Sequence, residues 1–82
     1  MRIVDKKPVL DQRVRELASV AASVAANCVP CIEYHYPAAL AAGATKEEIQ
    51  EAISIGRAIR SRPPSHLEDT VRKLLANAES SA

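Results

Sequence analysis

Apolar residues recur at helical spacing along most of this chain. Val14, Leu17, Ala18, Ala21, Val24, Ala25 and Cys28 follow one another mainly at three- and four-residue steps, the period of one helix face. Asp11 stands where an N-cap is needed, its carboxylate free to accept from the first turn. From Leu17 to Ala26 the polar residues are Ser19 and Ser23 alone. With Glu16 and Asn27 they draw one narrow stripe down an otherwise apolar cylinder. A helix apolar over most of its girth is covered on more than one side. In so short a chain the second cover is expected from another subunit.

A second helix is predicted from Pro30 to about Ala42. Proline suits a first turn, where its missing N–H costs nothing. Pro37 lies in the interior, where proline ordinarily costs about 3 kcal/mol and kinks the helix, so a bend is expected just past His35. Gly43 is a C-terminal stop. Thr45-Lys46-Glu47-Glu48 reads as a capping box and opens a third helix, with Ile49, Ala52, Ile53, Gly56 and Ile59 on its buried side. Arg57, Arg60 and Arg62 collect at its end, where the helix dipole favours cations, and Pro63-Pro64 stops it. Ser65-His66-Leu67-Glu68 reads as a second capping box, ahead of a last amphipathic helix marked by Leu67, Val71, Leu74 and Leu75. Met1 to Leu10 reads as a short arm, extended before Pro8, and Ala78 to Ala82 as a frayed tail. No run alternates with period two for long enough to be a strand. The expected fold is all-α, about four helices in a single domain over residues 1–82, with no internal repeat.

Composition sharpens the oligomer expectation. The chain has 82 residues and is 48% apolar, yet it holds no Trp or Phe and only two Tyr. Alanine supplies much of that apolar count, so each buried side chain contributes little. A domain this small hides only about 60% of the surface of its unfolded chain, and self-association is a source of further burial. Eleven basic and ten acidic residues leave a net charge of +1, which gives no footprint for nucleic acid or an anionic membrane. No stretch approaches the length of a membrane-spanning helix, and residues 1–8 lack a signal-peptide core. A cytoplasmic protein is expected.

The chemistry concentrates in Cys28-Val29-Pro30-Cys31-Ile32-Glu33-Tyr34-His35, which holds both cysteines and one of the two histidines. In a reducing compartment a Cys-x-x-Cys pair is more often catalytic or metal-binding than a structural staple. With a helix opening near Pro30, Cys31 and His35 share a face as an i, i+4 pair. Cys28 sits just before that helix, where unpaired N–H groups favour a thiolate. A dithiol catalyst needs a thiolate, a second thiol within reach and a way to move a proton. Cys28 and Cys31 supply the thiols and His35 the proton carrier. Glu16 is a candidate to hold His35, as an acid orients a base in other thiol and hydroxyl enzymes. Helical rise leaves an axial gap of roughly 9 Å between Glu16 and His35, a distance for two long side chains with a bridging water. Either sulfur can attack: proximity to His35 favours Cys31 for a peroxide, with Cys28 resolving the sulfenic acid, and exposure at the helix start favours Cys28 for a disulfide.

Glu16, the Cys28-Val29-Pro30-Cys31 run, His35 and the Ala-Gly-Ala-Thr-Lys-Glu-Glu-Ile run at 42–49 together resemble the carboxymuconolactone decarboxylase and AhpD-like alkylhydroperoxidase family, over about residues 10 to 60. The resemblance implies an all-helical fold, intertwined homo-oligomers, and thiol-dependent peroxidase or disulfide-reductase activity in members with both cysteines. It implies Glu16, Cys28, Cys31 and His35 as a dithiol and proton-relay set. No flavin, haem, nucleotide or metal is implied. The substrate would be a hydroperoxide or a disulfide, and the electrons would come from a partner dithiol protein or a small thiol. In one respect the chain departs from AhpD itself, which has a histidine between its two cysteines; here that position is Pro30, which removes one relay group.

Rival readings stand beside this one. The family's lactone decarboxylases do not rely on a dithiol, so a non-redox enzyme using Glu16 and His35 is an alternative. A non-catalytic assembly module built on the alanine-rich surface is another. A zinc site from the two cysteines, His35 and Glu16 is a third, though a structural site more often uses two cysteine pairs. His66 reads as an ordinary first-turn residue, Tyr34 as a core edge and Glu33 as solvated. The three arginines read as a solvated face rather than a site for an acidic partner.

Overall fold

A computed structural model describes residues 7–81, with side chains through residue 78. Four helices follow in order: α1 (Gln12–Ala25), α2 (Val29–Ala41), α3 (Lys46–Arg60) and α4 (Glu68–Ser81). There is no strand among the described residues, and the all-α expectation holds. The first six residues of the expected arm lie outside the described residues. Lys7 to Asp11 are non-helical. None of the described helices is long and apolar enough to cross a membrane.

The local signals act where the sequence puts them. Asp11 accepts from the Val14 N–H at 2.9 Å. Thr45 and Glu48 form the full reciprocal capping box at the start of α3. Gly43 takes φ +96°. Its N–H donates to Leu40 O, and the Ala44 N–H donates to Ala39 O at 3.0 Å, the Schellman pairing that closes a helix. Proline 37 does not end α2, which continues through it to Ala41; the Glu33 carbonyl, four residues earlier, loses its usual backbone donor.

Helix α1 is the centre of the unit, packed along both α2 and α3, which touch each other only slightly. The core is thin. Val20, Ala39, Ala44, Ile49 and Ala52 are buried, with Leu17, Ala21, Ile32 and Ile53 packed against them. Among the described residues only Val20 and Ile49 bring large apolar side chains to full burial, each worth about 1.5–3 kcal/mol. Gly56 lets α3 approach α1: an ideal Cβ there would lie 2.5 Å from the Ala21 carbonyl oxygen.

Three expectations need correction. Ile59 is not on the buried side of α3 but 59% exposed, because at the last turn it is Arg57 and Arg60 that face the end of α1 and the cleft beside it. The second capping box does not begin α4 at Ser65. The helix starts three residues later, and the first backbone bond across its start runs from Val71 N–H to Leu67 O. The tail is helical through Ser81 rather than frayed from Ala78, while Ala82 lies outside the described residues. Among the described residues α4 packs on none of the other three helices, and Leu67, Leu74 and Leu75 are exposed. Its own Asp69 pairs with Arg72 and Lys73 along one face.

The Glu48 carboxylate makes the fold acid-sensitive at one defined point. The bond it accepts from the Thr45 backbone N–H, opposed by slight desolvation and assisted by Arg13, holds its carboxyl below the usual value of 4.5. A folded value below the unfolded one means stability that is present above the unfolded value and lost as acid passes the folded one. A thermal melting series should therefore fall on acidification from about pH 4.5 downward, with a smaller fall in Glu48→Gln. Equal falls in the two proteins would assign the acid sensitivity elsewhere.

Candidate active site

Three residues, Ala26 to Cys28, separate α1 from α2, and the turn is fixed by its own hydrogen bonds. Asn27 adopts φ 56°, a left-handed conformation that asparagine tolerates better than other side chains with a Cβ. Its N–H donates to Val24 O, and the Cys28 N–H donates to Ser23 O at 3.0 Å. This is the same Schellman closure as at Gly43, with asparagine in the glycine position. Chain direction reverses there, and Cys28 arrives as the N-cap of α2. Its Sγ accepts from the Cys31 N–H at 3.3 Å. Pro30 occupies the first turn, as expected.

Cys28 and Cys31 are joined as a disulfide, their Cα atoms 5.3 Å apart. Four residues on, His35 is 2% exposed. Its Nδ1 lies 2.8 Å from Glu16 Oε1, so the two side chains close the gap by direct contact. The axial gap is closed because α1 and α2 pack side by side and both side chains reach into the seam. A carboxylate accepting from Nδ1–H selects the tautomer whose Nε2 is free to take a proton. Tyr34 is 60% exposed rather than a core edge, and its ring stands edge-on to His35 at 4.9 Å.

The polar stripe of α1 thus runs along the seam with α2. Glu16 meets His35, and Ser23, 4% exposed, lies beneath Cys28. The serine hydroxyls are satisfied by their own helix, Ser19 on Arg15 O and Ser23 on Ser19 O, so burial leaves no unpaired hydroxyl. Ala22 and Ala26, on the apolar girth, are exposed. Among the described residues no three of His, Cys, Asp or Glu converge as metal ligands.

A cleft of about 190 Å³ opens at Cys28, between the start of α2 and the end of α3. Ile32 and Ile53 line its apolar side, and Arg57 and Arg60 line its rim. Arg60 Nη1 donates to Asn27 Oδ1 at 3.3 Å. The sequence reads the arginines as a solvated face and Asn27 as part of the polar stripe of α1, and assigns none of the three to the site. An asparagine directly before a cysteine at a helix junction was the signal available for the turn. Nothing local marks the arginines, since α3 reaches the cleft only through tertiary packing.

Residues 1–63 match the model of the carboxymuconolactone decarboxylase family. The chain belongs to that family. A curated relative, "Uncharacterized protein 4 in cox locus" of Paracoccus denitrificans, is 37% identical over 59 residues, 72% of this chain and 53% of its own length. The chain therefore spans about half the length of the curated relative it matches. No solved structure is a significant match. The family match ends just after α3, so α4 lies outside it, as it lies outside the three-helix packing.

Asn27 is the residue whose change tests the turn. Asn27→Ala places a Cβ that favours right-handed geometry at a left-handed position, a cost of about 1 kcal/mol. Asn27→Gly removes the cost altogether. Urea midpoints should fall for the alanine variant and hold or rise for the glycine one. The reverse order would mean that the turn is not held by its backbone conformation.

Proposed function

We propose that this protein is a thiol-dependent oxidoreductase of the alkylhydroperoxidase-like kind, reducing hydroperoxides or disulfides through Cys28 and Cys31. The observation that carries the reading is the pairing of the two sulfurs at the start of α2, one turn from a histidine held by a buried-side carboxylate. With a hydroperoxide, the Cys31 thiolate attacks the terminal oxygen, the alkoxide leaves as an alcohol after gaining a proton, and Cys31 becomes a sulfenic acid. Cys28 then displaces water and closes the disulfide. His35 takes and returns protons through Nε2, and Glu16 keeps its ring in the needed tautomer. A dithiol protein or a small thiol returns the two electrons. With a disulfide substrate Cys28, which borders the cleft, attacks and Cys31 resolves.

The reading extends to assembly and compartment. The single chain leaves Val29, Leu40 and Ile55 largely exposed, and a homo-oligomer would cover such surface. A catalytic dithiol suits a reducing compartment such as the cytoplasm.

Mass spectrometry of the reduced protein tests the proposal. Added hydroperoxide should produce a Cys28–Cys31 disulfide in step with alcohol formation, and a thiol donor should reverse it. Two thiols untouched by hydroperoxide and by disulfides, together with decarboxylation of a lactone acid, would establish the non-redox reading instead.

A further inference from the structure

The cleft at Cys28 is electrically one-sided. None of the residues lining it is acidic, and two of them, Arg57 and Arg60, are arginines one turn apart on α3. Neither guanidinium is in an ion pair among the described residues. Arg60 is drawn to the mouth of the cleft by its bond to Asn27 Oδ1, the residue before Cys28. The N-terminal end of α2 adds its partial positive charge on the facing wall. Cys28 is the cysteine that borders this space; Cys31 does not line it. At about 190 Å³ the cleft is smaller than pockets for drug-sized ligands, which run from about 300 Å³.

From this juxtaposition of a redox sulfur with two guanidinium groups that no carboxylate neutralises among the described residues, in a small cleft, we infer that the substrate is a low-molecular-weight disulfide bearing carboxylates. The inference rests on the dithiol reading above and adds the charge and size of what the dithiol reduces. Arg57 and Arg60 hold a carboxylate, which the planar guanidinium matches with paired N–H donors, and the apolar side formed by Ile32 and Ile53 takes the carbon skeleton. The Cys28 thiolate attacks one sulfur of the bound disulfide. The new bond is Cys28–S, the substrate S–S bond breaks, and one carboxylated thiolate leaves beside the arginines, where its charge is favoured. Cys31, as thiolate, then attacks Cys28 Sγ, closes the protein disulfide and expels the second thiolate. The protein dithiol gives up two electrons, the substrate gains them, and the two thiol protons of the protein end on the two released thiols.

The test uses the reduced full-length protein under single-turnover conditions. Two aromatic disulfides serve as probes: dithiobis(nitrobenzoate), which carries two carboxylates, and the smaller dithiodipyridine, which is neutral, with the arginine variants and salt separating charge from size. Each rate constant is divided by the rate of a free small thiol with the same probe, which removes their intrinsic difference. The normalised rate should favour the anionic probe by about tenfold. That preference should vanish in Arg57→Gln/Arg60→Gln and survive in Arg57→Lys/Arg60→Lys. Should the glutamine variant fail to fold, salt serves in its place: raising ionic strength from about 20 mM to about 500 mM should erase the wild-type preference. Fast reaction with both probes, with no charge preference and no response to salt, would overturn this inference and leave the dithiol reading standing. Reaction with neither probe beyond the free-thiol rate would overturn this inference, and the dithiol reading with it if hydroperoxide also leaves both thiols intact.

Discussion

Cys31→Ser abolishes multiple turnover while the protein stays folded: this is the largest effect expected of any single substitution here. The serine oxygen occupies nearly the same volume as the half-buried sulfur. The lost disulfide closes only a four-residue stretch, and so short a loop constrains the unfolded chain little. Loss of activity will therefore report chemistry rather than unfolding. A hydroxyl is a poor nucleophile unless a base activates it, so hydroperoxide reduction at position 31 ceases. Disulfide reduction should stop half-way, because Cys28 can still attack but nothing displaces it from the mixed disulfide. Mass spectrometry should then find one substrate thiol attached to Cys28, and Cys28→Ser should give no such adduct. Retained turnover in Cys31→Ser would mean that the dithiol is not the reactive group and would favour an enzyme working through Glu16 and His35 alone.

Gly56→Ala should carry the largest stability effect. Two terms of opposite sign meet at this position. In an exposed helix interior alanine is better than glycine by about 1 kcal/mol. Here the added methyl would lie 2.5 Å from the Ala21 carbonyl oxygen and 2.7 Å from Val24 Cβ. Overpacking of this kind costs about 1–3 kcal/mol, and a backbone oxygen cannot step aside by changing rotamer. Relief requires α1 and α3 to separate, which also loosens Ala52, Ile49 and Val20 between them. The upper part of that range should prevail, for a net loss of about 2 kcal/mol, and in a domain of this size the melting temperature falls by about 10 °C. A melting temperature that holds or rises would show that the two helices are free to shift apart.

The sequence exposed those parts of the fold that are set by neighbours in the chain. Asp11, Pro30, Gly43 and the Thr45–Glu48 pair each act within four residues, and each sits in its expected place. Cys28, Cys31 and His35 were legible for the same reason, since their spacing on one helix start is local. The Glu16–His35 pair links residues 19 apart, and only the likeness to a family joined them firmly. The pattern alone does not say which neighbour the polar stripe of α1 faces. A lone stripe of Ser19 and Ser23 in an apolar helix looks like the wet side, yet it faces α2, because each hydroxyl bonds a carbonyl of its own helix. Ile59 and Ser65 differ from the pattern because periodicity alone does not say which residues of a last turn face a neighbour, nor that α4 has no neighbour to pack on among the described residues. Arg57 reads as a solvated cation until α3 is seen to end beside Cys28.

One atom in this structure has two duties. The Sγ of Cys28 receives the Cys31 amide in the following turn, and in the proposed mechanism it is also the group that hands its electrons to an incoming disulfide. The contact is formed in the disulfide state, and a sulfur that turns outward to meet a substrate leaves the Cys31 amide to water. The opening turn of α2 should therefore breathe in time with the reaction, so that amide hydrogen exchange at that one position becomes a clock for each cycle.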